Sequence, residues 1–387
     1  MKHLHKIPVW NKELLFVGGF LARTAYELGM QDIKTQWEAS IPSKKPGEPL
    51  NSDLGKGFYD RAKHIMRFFA FRASTPSAAV SSEMQSAFFN CGTQGPPPPI
   101  VSSAGIRSAL DVRMPNRTIS AFLPGLPVFP EELLGDSKLM IAALQEKGML
   151  SAITFADVVK GLREWPLSEG EMTACLRWWT DEFRSDPSIG SHGQLLLDAA
   201  VFTVCTPDNG KREVPLKGIQ TFLGPKNIIV LTDGPLGPLP DHLLPITISR
   251  ELDLTLLQES LQWRELSVLE WVQHLTDPAV YTQKGEFNIV ESPVWADRVL
   301  QSIGKCWPNL PEVDRTAIGG LLGELPCIPT SAGMKMPSEA YFSSKEILDD
   351  LPVVNLPSQV QIEGNLKGML ADLGVRKYVE LRVIFDR

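Results

Sequence analysis

A chain of 387 residues with 43% hydrophobic and 21% charged side chains is a folded protein with room for two to four domains, which excludes a disordered chain. A net charge of −7 argues against indiscriminate nucleic-acid binding, which needs clustered Lys and Arg. No apolar run reaches the ~20 residues that span a bilayer, and the scattered cysteines Cys91, Cys175, Cys205, Cys306 and Cys327, without a CxxC pair, fit buried thiols in a reducing compartment better than a zinc site.

The first predicted element is a helix. Basic residues precede an apolar stretch at residues 14–22, as in a signal peptide, but Lys12 and Glu13 abut it. Leu14, Val17, Leu21 and Leu28 continue at helical spacing, which predicts a core-facing helix. In an intracellular chain the Asn116-Arg117-Thr118 sequon carries no meaning. Phe58, Ala62, Ile65 and Phe69 mark a second apolar face, and residues 41–51 and 92–99 are the linker candidates.

Further along, the chain resembles itself. Residues 144–162 align with residues 257–275 without a gap at an offset of 113, and a further 113 residues on Leu370 opens a third copy in which Gly374 matches Gly148. Thr154 with Asp157, and Ser267 with Glu270, form helix-start boxes at matching positions. Behind them Phe155, Val158, Val159 and Leu162, then Val268, Trp271, Val272 and Leu275, trace one buried stripe each. The third copy has Glu380 at the cap position and ends at Arg387. A second helix follows in each copy, lined by Met172, Cys175, Leu176 and Trp179 or by Trp295, Val299, Ile303 and Cys306. Hairpins are predicted near residues 105, 210 and 333, the middle one on the Asn209-Gly210 turn. Leu126-Pro127-Val128 recurs as Leu351-Pro352-Val353, and the step from Pro130 to Leu134 recurs from Pro240 to Leu244, where it predicts a helix start.

This order predicts an α+β fold of tandem, mostly helical modules, each with helices plus a β-hairpin, winged-helix-like. The modules occupy residues 1–135, 136–250 and 251–365, with residues 366–387 as the start of a truncated fourth unit.

No catalytic set emerges. Gly55-Lys56 lacks the first glycine and the hydroxyl of a phosphate loop. G-x-S-x-G and H-E-x-x-H are absent. His242 beside Asp241 suggests a base with an orienting acid, but its counterpart is Glu132, which favours a structural role. His3, His5, His64 and His274 suit solvated or boundary positions, and His192 sits in a Gly-Ser-His-Gly loop with no chemical neighbour. No catalytic residue, metal ligand or cofactor is implied. Lys211 and Arg212 beside the middle turn, with Lys217 beyond, are the candidate contacts for a partner or for nucleic acid. Arg107, Arg113 and Lys335 are the only cations at the other two hairpins.

Several stretches carry a family resemblance: Trp10-Asn11-Lys12-Glu13-Leu14-Leu15-Phe16-Val17-Gly18-Gly19-Phe20-Leu21, Ser74-Thr75-Pro76-Ser77, Ser103-Ala104-Gly105-Ile106-Arg107, Asp111-Val112-Arg113-Met114-Pro115, Leu167-Ser168 through Trp178-Trp179, and Cys327-Ile328-Pro329-Thr330-Ser331-Ala332-Gly333. Together they resemble a family of large fungal proteins known only as a domain of unknown function, over nearly the whole chain. In that family an Hsp90-type, sacsin-like ATP-binding domain precedes the region seen here. The resemblance implies a middle portion of a longer chaperone-associated protein. No stretch here matches the asparagine helix or the Asp-x-Gly-x-Gly loop of such ATPases, so their activity is not expected of this segment. The expected function is a non-enzymatic, cytoplasmic repeat scaffold contacting protein partners and no membrane. The alternative is a winged-helix nucleic-acid binder, which a nuclear location would suit.

Overall fold

Local side-chain chemistry fixes where the helices begin. The Thr154 hydroxyl accepts the Asp157 N–H (3.3 Å), and the Asp157 carboxylate accepts the Thr154 N–H (2.9 Å). Ser267 and Glu270 reproduce the box at 3.2 and 3.3 Å, and Ser168 and Glu171 at 3.3 and 2.8 Å. Each satisfies two N–H groups that the helix itself leaves without partners.

A computed structural model describes residues 12–40, 57, 60–66, 97–135, 138–205, 210–224, 227, 229, 237–282, 285–343 and 351–379. The linker at 41–51, most of the one at 92–99, Phe58, Phe69, Asn209 and everything from Glu380 onward lie outside the described residues. The fold is mixed α+β. Its first principal elements are α1 (Lys12–Ser40), the hairpin β1 (Pro99–Ser102) and β2 (Gly105–Ser108), α2 (Lys138–Glu146) and α3 (Phe155–Glu164). Then come β3 (Leu167–Ser168), α4 (Glu169–Ser185), and β4 (Val201–Cys205) with β5 (Lys211–Pro215). Next are β6 (Thr221–Phe222), α5 (Leu254–Leu261), β7 (Arg264–Glu265) and α6 (Val268–Leu275). The last group is α7 (Pro293–Cys306), α8 (Glu312–Gly323), β8 (Ile328–Thr330), β9 (Gly333–Lys335) and α9 (Gly364–Asp372). Antiparallel hairpins therefore stand at all three predicted places.

After each hairpin comes a 3-10 turn, then a short extended segment bonded in parallel on both sides. Arg113 bridges Val128 and Ser151, and Tyr341 bridges Val353 and Arg376. Thr221 bridges Leu243, while β6 pairs with β7. The bonds match atom for atom. Arg113, Thr221 and Tyr341 donate their N–H to the carbonyls of Pro127 (3.0 Å), His242 (3.2 Å) and Pro352 (3.0 Å). Their own carbonyls accept from Phe129 (2.8 Å), Leu244 (2.8 Å) and Val354 (2.9 Å). On the other side the match is pairwise: Met114 donates to Ser151 (2.8 Å) and Phe342 to Arg376 (3.0 Å), while in the reverse direction Arg376 donates to Ala340 (2.9 Å) and Arg264 to Gln220 (3.1 Å).

Parallel neighbours require a crossover, and helices supply it. α2, α5 and α9 each end in a left-handed residue: Gly148 (φ 66°), Gln262 (φ 58°) and Gly374 (φ 107°). At the two glycines the next residue folds back on the helix, Met149 donating to Leu144 (2.8 Å) and Val375 to Leu370 (3.0 Å). The match of Gly148 with Gly374 in the sequence thus marks a shared chain reversal.

One predicted correspondence is displaced. The helix start expected from Pro240 to Leu244 is absent: Glu131–Leu134 is helical, whereas Leu243 lies in the parallel bridge and helix resumes only at Ile246. His242 corresponds to Pro127 and Pro352, because its carbonyl accepts the equivalent bond.

The chain packs as two compact units, one of Met1–Glu182 with Gln194–Leu216, the other of Phe183–Gly193 with Lys217–Arg387. In the first, Tyr26, Met30, Met66, Ile100, Phe129 and Leu144 share a core. Phe155 packs beside Trp178 and Trp179. The second is built on Trp271 (1% exposed), Trp295, Ile303, Trp307, Leu322 and Met369. There the Trp307 indole donates to Asp372 (2.8 Å), tying α7 to α9.

The predicted register of α1 is overturned at Leu21 and Leu28, while the side chains of Leu14 and Val17 lie outside the described residues. Arg23, Tyr26, Met30 and Ile33 face inward, and the Tyr26 hydroxyl donates to the Pro99 carbonyl. Leu21 and Leu28 are 60% and 67% exposed. The helix carries two apolar stripes, and spacing alone does not choose between them. The hairpin does, because it accepts Tyr26 and its hydroxyl.

Two substitutions test this packing. Trp271→Ala is expected to cost about 3–5 kcal/mol. A Cβ at Gly237 would collide with the Trp295 ring, so Gly237→Ala is expected to lower the thermal midpoint, while Gly170→Ala, which meets open space, leaves it unchanged or higher. Thermal unfolding by circular dichroism checks both, and a stable Gly237→Ala variant would contradict the packing.

Candidate interaction surface

The middle hairpin is built differently from its two counterparts. Hairpins β1–β2 and β8–β9 turn over two residues, and their tips are fastened down. Ser103 donates its N–H to Val128 (2.8 Å) and its hydroxyl to Leu126 (2.8 Å), and its Oγ accepts the Val128 N–H (3.1 Å). Ser331 repeats this with Val353 (2.8 Å), Leu351 (3.3 Å) and Val353 (3.2 Å). Gly105 (φ 103°) and Gly333 (φ 91°) permit the reversal at a backbone angle that other residues rarely adopt. By contrast β4 and β5 pair over five residues each, from Val201↔Pro215 to Cys205↔Lys211, with five residues of sequence between them.

Lys211 and Arg212 stand at the far end of β5, and both are exposed. Strand alternation sends them to opposite faces. Arg212 shares its face with buried Val214, and Lys211 shares the other with exposed Glu213. Lys217 is exposed in the 3-10 turn that follows, while its neighbour Leu216 is buried and donates its N–H to Ala200 (2.9 Å). The structure thus makes the predicted cations accessible but does not gather Lys211 and Arg212 on one face. β5 is the outer strand of the sheet ordered β3-β4-β5. At the other hairpins Arg107 is exposed opposite Ile100, and Lys335 is half-buried opposite Ile328, the same place in the register.

Arg113 is not a hairpin cation. Its Nε and Nη2 fork the Asp157 carboxylate at 2.8 and 2.9 Å, and its Nη1 donates to the Leu110 carbonyl. Arg264 grips Glu270 in the same way at 2.7 and 2.5 Å. In each case the acid is the one that closes a capping box, so box and arginine form one network. Partial burial by itself would raise the Asp157 pKa. The Arg113 fork and the bonds from the Thr154 N–H and hydroxyl outweigh burial and bring it to about 2. Glu270 is shifted downward by the same balance, with Arg264 and Ser267 as donors. Sequence patterning identified the boxes but missed the arginines, which lie 44 and 6 residues from their partners.

The remaining reactive side chains are accounted for structurally. Burial pushes the Cys175 and Cys327 thiols up to about 12, which suppresses the reactive thiolate. Exposed His64 meets the Asp60 carbonyl through Nδ1 (2.9 Å), and exposed His192 ends the 3-10 turn Pro187–His192. A depression between α1 and residues 60–66 is lined by Gly29, Asp32, Ile33, Asp60, Arg61 and Ile65 among others. Its polar groups engage their neighbours: Arg61 donates to Gln36 (3.2 Å), Gln36 to Asp32 (2.8 Å), and Lys63 pairs with Asp60 (3.0 Å). Among the described residues no three His, Cys, Asp or Glu side chains are grouped to hold a metal ion. No helix there is long and apolar enough to cross a membrane.

Against known families, residues 4–387 match the model described as protein of unknown function, DUF3684. The chain belongs to the DUF3684 family. Comparison with curated proteins and with solved structures gives no match. In this DUF3684 chain, then, any functional assignment rests on the chain's own geometry.

The forked acids set a pH dependence. Because the folded Asp157 pKa lies below the ordinary value near 3.9, the pair stabilises the fold fully above about pH 4 and progressively less as pH falls towards about 2. Arg113→Met is expected to weaken the fold at neutral pH and to flatten its acid dependence in that window. Denaturant titrations at stepped pH check it, and an unchanged slope would show that the fork contributes nothing.

Proposed function

We propose that this chain is a non-catalytic scaffold segment, built of tandem helix-plus-hairpin modules, that contacts other protein surfaces within a larger sacsin-like, Hsp90-type chaperone-associated protein of the fungal kind. The observation that carries this reading is the parallel bonding around Arg113, Thr221 and Tyr341, where the same two main-chain bonds to one neighbour recur in three places. Solenoid-type chains use related modules to present extended binding surfaces. The fungal, sacsin-like context comes from the sequence resemblance alone. On this reading the modules follow the order helices, hairpin, bonded segment, crossover helix, and the protein works in the cytoplasm.

Exposed Lys211 and Arg212 on the longer middle hairpin support a second reading, a winged-helix-like contact to a nucleic-acid backbone. Exposed Glu213 on the Lys211 face and buried Val214 on the Arg212 face weaken it, since no stripe of cations forms.

Purified protein is expected to hydrolyse neither ATP, nor peptides, nor esters above the buffer rate, and to leave duplex DNA and RNA unshifted at low ionic strength. A turnover abolished by one point substitution would overturn the scaffold reading. A salt-sensitive mobility shift lost in Lys211→Glu with Arg212→Glu would put the second reading in its place.

A further inference from the structure

The sheet β3-β4-β5 ends at β5, and none of the described strands pairs with its far edge. The pairing with β4 has a phase. Leu216 donates its N–H to Ala200, one step beyond the Val201↔Pro215 pair, so Val214 and Arg212 turn their N–H and C=O towards β4. Lys211, Glu213 and Pro215 alternate with them, and their main-chain groups point outward. Pro215 fits this phase, because the N–H it lacks would point away from β4. The outer edge therefore offers the N–H and C=O of Lys211 and of Glu213, and the C=O of Pro215. All three residues are exposed, and an edge of this kind is a template for another strand.

We propose that an extended acidic peptide of a partner protein adds to this edge as a fourth, antiparallel strand. The proposal rests on the scaffold reading and names one contact that the scaffold makes. Antiparallel addition lets one facing residue bond both the N–H and the C=O of Lys211, and another those of Glu213. These main-chain bonds give affinity, and the side chains opposite β5 give selectivity. Charge selects the occupant. Exposed Lys211 and Arg212 outnumber Glu213, and opposite charges attract across neighbouring strands where like charges repel. A second copy of β5 fits less well, because the phase that sets Lys211 against Glu213 also sets Arg212 against Arg212. Lys211 and Arg212 point to opposite faces, which suits two adjacent acids on an extended strand, since those alternate in the same way. A phosphate backbone instead meets cations clustered on one face. Read along the peptide, the complement of Val214, Glu213, Arg212 and Lys211 is an apolar residue, a lysine and two acids.

Fluorescence anisotropy with the full chain tests this, using a labelled peptide of sequence Ser-Val-Lys-Glu-Glu-Ser. Wild type is expected to bind it with a dissociation constant below about 0.1 mM. Lys211→Glu is expected to raise that constant by more than about tenfold, and a peptide whose second glutamate is replaced by lysine to recover it. Lys211 is exposed, so the thermal midpoint of Lys211→Glu stays in place and separates a lost contact from misfolding. Methylating the main-chain nitrogen of the peptide's lysine is expected to weaken binding by about tenfold, because that N–H donates to the Glu213 carbonyl. Absence of binding, or binding that the methyl group leaves unchanged, overturns the proposal. The scaffold reading survives either outcome, since it falls to a turnover and not to the loss of one contact. Binding of duplex DNA or RNA at low salt in place of the peptide overturns the proposal in favour of the nucleic-acid reading.

Discussion

The structure depends on satisfying the main chain at three short extended segments. Arg113, Thr221 and Tyr341 each lie between two parallel neighbours and use both N–H and carbonyl on one of them. Buried peptide groups left without partners would each cost about as much as a lost hydrogen bond. Long sheets are not needed to avoid this, because one or two bonded residues per side suffice when helices cover the rest. The hairpin before each segment and the crossover helix after it are placed by that requirement. So is the left-handed residue that reverses the chain at Gly148, Gln262 and Gly374.

The arginine forks belong to the same logic. A capping box already fixes a helix start, yet Asp157 and Glu270 each accept from an arginine besides. Arg113 lies in the bonded segment itself, and Arg264 lies in the strand paired with its counterpart. Each fork thus binds the first turn of α3 or α6 to the strands that precede it. In the first case both partners are more than three-quarters shielded from solvent, where a charge-assisted, bidentate bond is stronger than an exposed pair. A helix start that is locally stable becomes a helix held in one orientation.

What the sequence disclosed follows the range of the interactions. Capping boxes, two-residue turns and left-handed glycines act over a few residues, and Thr154, Ser267, Gly105, Gly148 and Gly374 could be recognised one by one. The buried stripe of α6, with Trp271 at its centre, was legible because a single apolar face admits one register. Parallel pairing joins residues with a whole helix between them, so the equivalence of His242 with Pro127 left no local mark. Instead the similar run from Pro240 to Leu244 pointed to a helix start that does not form. The face of α1 was misjudged for a related reason. Its inward stripe includes Arg23 and Tyr26, which hydropathy patterning discounts, whereas its outward stripe is made of leucines.

That inversion bears on where function can reside. Side chains engaged in the bonded segments, forks and cores are committed to holding the fold, and their chemistry is consumed there: the carboxylate of Asp157 in a helix cap, the thiols of Cys175 and Cys327 in apolar interiors. The middle hairpin and the outer face of α1 are different. β5 extends past the register that its counterparts use and carries Lys211 and Arg212 at its end, while Leu21 and Leu28 do nothing for the core of their own unit. Hydrophobic side chains kept in water contribute no folding energy to compensate for their exposure. On the scaffold reading proposed above, contacts fall on surfaces of this kind, which the fold does not use.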